Sequence, residues 1–97
     1  MATIRVSVEE MQAAAVECKN LSEQIEECRQ KCISLNTQLQ SAWDGVAAQA
    51  FDEFVNGTAT KVLSECSQMC CETGQAITHT CNQFSDADSE LSKTFRN

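Results

Sequence analysis

Seven cysteines and one histidine are the side chains of this 97-residue chain best suited to chemistry. Two pairs share one spacing, Cys28-x-x-x-Cys32 and Cys66-x-x-x-Cys70, which on a helix sets both thiols of a pair on one side, a turn apart. Such a twin could clip two helices by disulfides or hold zinc with four thiolates. Buried thiols acting as small hydrophobes are the plainer alternative. Cys71 and Cys81 fall off the main apolar tracks and are expected to be exposed. His79 has no Cys or carboxylate constellation beside it, so it reads as a helix-surface residue rather than a catalytic base. With no Gly-rich phosphate loop and no metal-ligand helix motif, the chain is expected to be a non-enzyme without cofactor or metal.

Two long helices must position these groups. Ser7-Val8-Glu9-Glu10 fits a capping box, with Val6 placed to pack on Met11 as a hydrophobic staple, which starts a helix near residue 7. From there Met11, Cys18, Ile25, Cys32 and Leu39 recur every seven residues, interleaved with Ala14, Leu21, Cys28, Leu35 and Ala42. Together they form an a/d seam over five heptads. Glu27 and Lys31 make a favourable i,i+4 pair on this helix.

The chain's only Trp and one of its three Gly stand in Trp43-Asp44-Gly45, near the middle, and mark a bend at about 43–45. The apolar pattern resumes with Ala47, Phe51, Phe54 and Val55, and then meets Asn56-Gly57, a weak point worth roughly 1 kcal/mol that the helix is expected to survive to about residue 90. Beyond it run the tracks Leu63, Cys70, Ile77, Phe84, Leu91 and Ala59, Cys66, Thr73, Thr80, Ala87, flanked by Val55, Val62, Met69, Ala76. Three tracks make a wider apolar face than one neighbouring helix can cover. The expected architecture is therefore all-α: a single-domain antiparallel helical hairpin that dimerises into an antiparallel four-helix bundle. Its core and dimer seam would hold Met11, Leu21, Ile25, Leu35, Leu39, Val55, Val62, Met69 and Ile77.

A bend centred near Asp44 makes residues level when their numbers sum to about 88. The twin cysteine pairs sum to about 98, an axial offset of roughly 15 Å, whereas disulfide Cα atoms must lie within about 7 Å. The same count sets Cys18 against Cys70 or Cys71, so Cys18 with Cys70 is the candidate intrachain disulfide.

Composition excludes several classes. No Pro, no Tyr and only three Gly argue against a sheet. Fourteen acidic against seven basic residues would repel a phosphate backbone, so nucleic acid is not an expected partner; six acidic against four basic residues precede Trp43, and eight against three follow. No run reaches the ~20 apolar residues of a membrane span, and Glu9 and Glu10 interrupt any signal-peptide core.

About a hundred residues, two long helices, Trp43-Asp44-Gly45 at the bend and Phe84-Ser85-Asp86-Ala87-Asp88 near the end together carry a family likeness. The chain resembles the small WXG-motif, early-secreted-antigen-like proteins of type VII secretion, from Ile4 to about Leu91. That resemblance implies a helical-hairpin substrate or targeting partner, made in the cytoplasm without a signal peptide and then secreted. It also implies a homodimer or a heterodimer with a related hairpin, recognition by a secretion ATPase and, in some relatives, a larger secreted effector as companion. The family's export element usually begins with Tyr; here Phe84 keeps the ring and loses the hydroxyl, as in some relatives that accompany toxins, which bears on subgroup rather than on export.

The recognition set that follows is Trp43, Asp44, Gly45, Phe84 and Asp88. Trp43 and Gly45 could equally serve structure alone, Gly as the bend and Trp as a plug. Phe84 continues a core track, and Asp86, Asp88 and Glu90 could be a solvated acidic face. Phe84 lies 41 residues beyond Trp43, roughly 60 Å along one helix, so the two could act together only across an antiparallel dimer. The alternatives from other classes are a small chaperone clipped by its twin Cys-x-x-x-Cys pairs and a zinc-stapled structural module.

Overall fold

Ser7 starts the first helix: its hydroxyl accepts the Glu10 amide at 3.2 Å and its carbonyl accepts the Met11 amide at 3.0 Å, which satisfies donors that an uncapped helix leaves open. The computed structural model describes residues 7–95, with side chains through Phe84; Val6, the expected staple residue, lies outside the described residues. Its elements are α1 (Val8–Ala42), α2 (Val46–Phe54), a π-helical turn (Val55–Ala59) and α3 (Thr60–Phe95). α1 packs antiparallel on the run from α2 through α3, giving a rod of 78 × 20 × 19 Å. It is an all-helical hairpin with no strand among the described residues.

The chain leaves α1 at Trp43, in an extended conformation, and re-enters helix after Gly45, whose φ of +111° and ψ of −176° lie in a region essentially confined to glycine. A Cβ at Gly45 would meet nothing within 4 Å, so the demand for glycine here is purely conformational. Gly45→Ala is expected to lower stability by roughly 1–3 kcal/mol without changing helix content, read as a lower urea midpoint at unchanged slope.

The line of contact differs from the expected seam. α1 turns inward Val8, Met11, Ala15, Cys18, Ser22, Ile25, Arg29, Cys32 and Asn36. Met11, Cys18, Ile25 and Cys32 are where the heptads put them; their companions inside the hairpin are Ala15, Ser22, Arg29 and Asn36, while Ala14, Leu21, Cys28, Leu35 and Ala42 are exposed. The reason is that small and polar side chains permit a close helix approach. Gly74 sits so near α1 that an added Cβ would stand 3.1 Å from the Ala15 carbonyl oxygen and 3.2 Å from Cys18 Cβ. One step along, the Ser22 and Ser67 hydroxyls meet at 2.9 Å, and Ser67 donates to the Ser22 carbonyl at 3.0 Å.

Near the bend the contact is a polar lock. Buried Asn36 donates through Nδ2 to Asp52 Oδ1 at 2.7 Å, and Asn56 Nδ2 donates to the same oxygen at 3.0 Å. Gln40 Nε2 reaches the Ala48 carbonyl at 2.8 Å and Asn36 Oδ1 at 3.3 Å. No buried side-chain nitrogen or oxygen among the described residues lacks a partner, so the lock holds the register of α1 against α2 without the cost of an unsatisfied group.

At Asn56-Gly57 the helix persists, as a π turn rather than an α turn. Thr60 donates its amide to the Val55 carbonyl and its hydroxyl to the Asn56 carbonyl at 2.9 Å. The additional residue rotates everything downstream by about 100°. Val55 is therefore 6% exposed, whereas Val62 and Met69, which continue its heptad, are 50% and 64% exposed. The inward track after the turn is Thr60, Leu63, Ser67, Cys70, Gly74, Ile77 and Cys81. On α1 the expected Glu27–Lys31 pair gives way to an i,i+3 pair, Arg29 with Glu26, which holds the Glu26 carboxyl below its ordinary value through the Arg29 hydrogen bond.

Candidate functional site

Leu21, Leu35 and Leu39 on α1 and Phe51, Phe54, Val62 and Met69 on the second arm are all exposed. Near the bend, Cys32, Leu35, Asn36, Leu39, Phe51, Phe54, Val55 and Ala59 line an apolar groove of about 300 Å³ between the arms. Each helix is amphipathic in two directions: one stripe holds the hairpin and a second, adjacent stripe remains open. Of the nine expected seam residues, Met11, Ile25, Val55 and Ile77 take part in the hairpin contact, and Leu21, Leu35, Leu39, Val62 and Met69 lie on its exposed surface.

Trp43 stands at the tip of the hairpin with its ring 5.9 Å from that of Phe51, tilted by 51°. This contact orients the indole without enclosing it: Trp43 remains 40% exposed, and Phe84, far along α3, is 42% exposed. Neither aromatic is a core plug, and Phe84 does not continue the buried track. Asp44, between Trp43 and Gly45, is exposed. Asp88 belongs to α3, and its side chain lies outside the described residues. The structure thus brings Trp43 together with Phe51, and it holds Trp43 and Phe84 at opposite ends of the rod.

All seven cysteines are free thiols, Cys18 and Cys70 included. Cys81, expected to be exposed, is instead the most buried side chain described; its Sγ faces the Val8 carbonyl at 3.8 Å. Burial, then the charge and hydrogen bond of neighbouring Cys28, raise the Cys32 thiol above its ordinary value. Cys28 itself is exposed. Alkylation of the metal-free chain, diluted until it is monomeric and mapped by mass spectrometry near neutral pH, should therefore label Cys28 before Cys32 and reach Cys81 last, by roughly tenfold or more, through opening of the helix ends. Equal rates at Cys28 and Cys81 would contradict this packing.

On the opposite side His79 lines a shallow cleft with Lys19, Cys71 and Asn82. Among the described residues no three Cys, His, Asp or Glu side chains converge as a metal site within one chain, and no helix is long and apolar enough to cross a membrane.

Two features escaped the reading of the sequence. The polar lock of Asn36, Gln40, Asp52 and Asn56 was hidden because such residues usually face solvent; its signal was the seven-residue recurrence of Ala15, Ser22, Arg29 and Asn36. The close approach at Gly74 left a weaker trace, a glycine inside a long helical pattern.

Comparison with curated proteins and with solved structures finds no match. The family model for proteins of 100 residues with WXG, WXG100, matches residues 3–89. That span covers both arms and the Trp43-Asp44-Gly45 bend, so the chain belongs to the WXG100 family of small helical proteins of type VII secretion.

Proposed function

We propose that this chain is a non-enzymatic substrate or targeting partner of a type VII secretion system, recognised as a dimer through Trp43, Asp44 and Gly45 of one protomer and Phe84 and Asp88 of the other. The observation that carries the reading is the family match over residues 3–89, taken with two exposed aromatics at opposite ends of a 78 Å rod. A secretion ATPase that reads both aromatics at one place needs two chains, and an antiparallel four-helix bundle sets the bend of each beside the Phe84 of the other. The exposed stripe of Leu21, Leu35, Leu39, Val62 and Met69 supplies apolar surface for that bundle. The dimer partner is a second copy or a related hairpin, and a larger secreted effector could travel with it.

Trp43 and Phe84 are both exposed, and the variants that test the signal are Trp43→Ala, Phe84→Ala and Asp88→Ala. Each variant is expected to keep wild-type helical circular dichroism and dimer mass, yet to fall at least roughly tenfold in the culture supernatant, as loss of one anchor of a small interface does. Export of a locked monomer at the wild-type rate would refute the composite signal.

A further inference from the structure

The proposed dimer leaves the cysteine spacing unexplained, and the register of the hairpin supplies a reason for it. Val8 lies level with Cys81, Ala15 with Gly74 and Ser22 with Ser67, pairs whose numbers add to about 89. Within one chain Cys66 is therefore level with position 23 and Cys70 with position 19 of α1, far from Cys28 and Cys32. A second, antiparallel copy that overlaps the whole of α1 must set its two-fold axis at the midpoint of Val8–Ala42, the height of Ile25. About that axis the partner's Cys66 and the partner's Cys70 rise to heights within about one residue, or about 1.5 Å, of Cys28 and Cys32. Both pairs match at once because α1 and the partner's α3 run in the same direction and share the same spacing.

Facing supports height. Cys28 lies on the exposed stripe of Leu21 and Leu35, and Cys66 lies between the exposed Val62 and Met69; Cys32 and Cys70, one turn further on, are half-buried at the edge of the hairpin contact, so each pair straddles the direction between the other arm and the open face. In a bundle with two-fold symmetry of this kind, α1 packs beside the partner's α1 and diagonally opposite the partner's α3. Neighbouring axes 8–10 Å apart leave diagonal Cα atoms roughly 7–10 Å apart, at or beyond the limit for a disulfide. Two thiols from each of two opposite corners instead enclose a point on the bundle axis, which is the requirement of a tetrahedral metal ion.

On the basis of the dimer reading above, we propose that Cys28 and Cys32 of one protomer and the partner's Cys66 and the partner's Cys70 form a tetrathiolate site for zinc, two sites per homodimer. Binding releases four protons to solvent, one from each thiol, and leaves a zinc tetrathiolate of net charge −2. No electron is transferred. The match of two pairs about one axis is an argument for a second copy of this chain as the partner, since a different hairpin has no reason to carry cysteines at these heights.

The test uses the full chain, reduced and freed of metal, with cobalt(II) as the spectroscopic probe and zinc(II) as competitor. Two variants are made, Cys28→Ser/Cys32→Ser and Cys66→Ser/Cys70→Ser, and their fold is checked by circular dichroism. The wild-type protein should show the intense thiolate-to-cobalt absorption and tetrahedral d–d bands, titrate to one metal per chain and lose the bands to zinc. Each variant alone should lose the tetrathiolate spectrum. After the two are unfolded and refolded together, half of the chains form mixed dimers holding one intact site, so about a quarter of the wild-type signal should return. Mixing that restores nothing, or a variant that binds cobalt as wild type does, overturns the proposal. Sedimentation of the metal-free protein separates the two readings: a dimer without the cobalt spectrum defeats the zinc site alone, and a monomer with and without zinc defeats both.

Discussion

Gly74→Leu is expected to lower the urea midpoint of the hairpin sharply, by about 1–3 kcal/mol or more. Even a Cβ at this position would stand 3.1 Å from a backbone oxygen of α1 and 3.2 Å from Cys18 Cβ, and backbone cannot swing aside as the end of a long side chain can. A full leucine must part the arms where the Ser22–Ser67 contact, one register step away, holds them together. The buried apolar side chains among the described residues are few, Ala48, Val55 and Cys81, so little else resists the separation. Gly57 provides the control of opposite sign: a Cβ there meets nothing within 4 Å, and Gly57→Ala should be neutral or stabilise by roughly 0.5–1 kcal/mol through the unfolded chain. Equal midpoints for the wild type and Gly74→Leu would mean that the arms do not approach as closely as described.

Leu35→Glu should leave the hairpin folded and raise the dimer dissociation constant by about 100-fold, or about 2.7 kcal/mol. Leu35 is 57% exposed in the single chain, so a carboxylate there stays hydrated and costs the protomer little. Across a bundle seam the same carboxylate would lose its water without gaining a partner. Sedimentation velocity against concentration separates the two states, and circular dichroism shows that the helices persist. Under the composite-signal reading, export should fall in step with the dimer. Unchanged association in Leu35→Glu would remove this stripe from the interface.

The helical hairpin was legible because its causes are local. The capping serine, the seven-residue recurrence and the rare Trp43-Asp44-Gly45 at mid-chain are each readable within a few turns, and together they located α1, the bend and the start of the second arm. The register followed from counting outward from the bend, and the structure sets Ser22 beside Ser67 close to that count. The family was legible for the same reason, since its motif lies in the bend.

Facing was much less legible. Heptads show that α1 and the second arm have apolar stripes, but not which stripe meets the other arm, because Leu21 and Ile25 satisfy the same pattern one turn apart. Small and polar residues decided it: Ala15, Ser22 and Gly74 let the backbones come close, and larger side chains were left outside. Cys81, expected on the surface, is enclosed because the π turn at Val55–Ala59 shifts the phase of everything after it. The same shift turns Val62 and Met69 outward.

By itself, then, the sequence determined an all-helical hairpin, the position of its bend and its membership of a type VII secretion family, since periodicity, capping and a motif act over neighbouring residues. Only the tertiary structure decided which of two adjacent stripes is spent on the hairpin and which is left for another chain. That choice depends on how closely two backbones can approach and on one additional residue in one turn, and neither effect is visible in hydrophobicity alone.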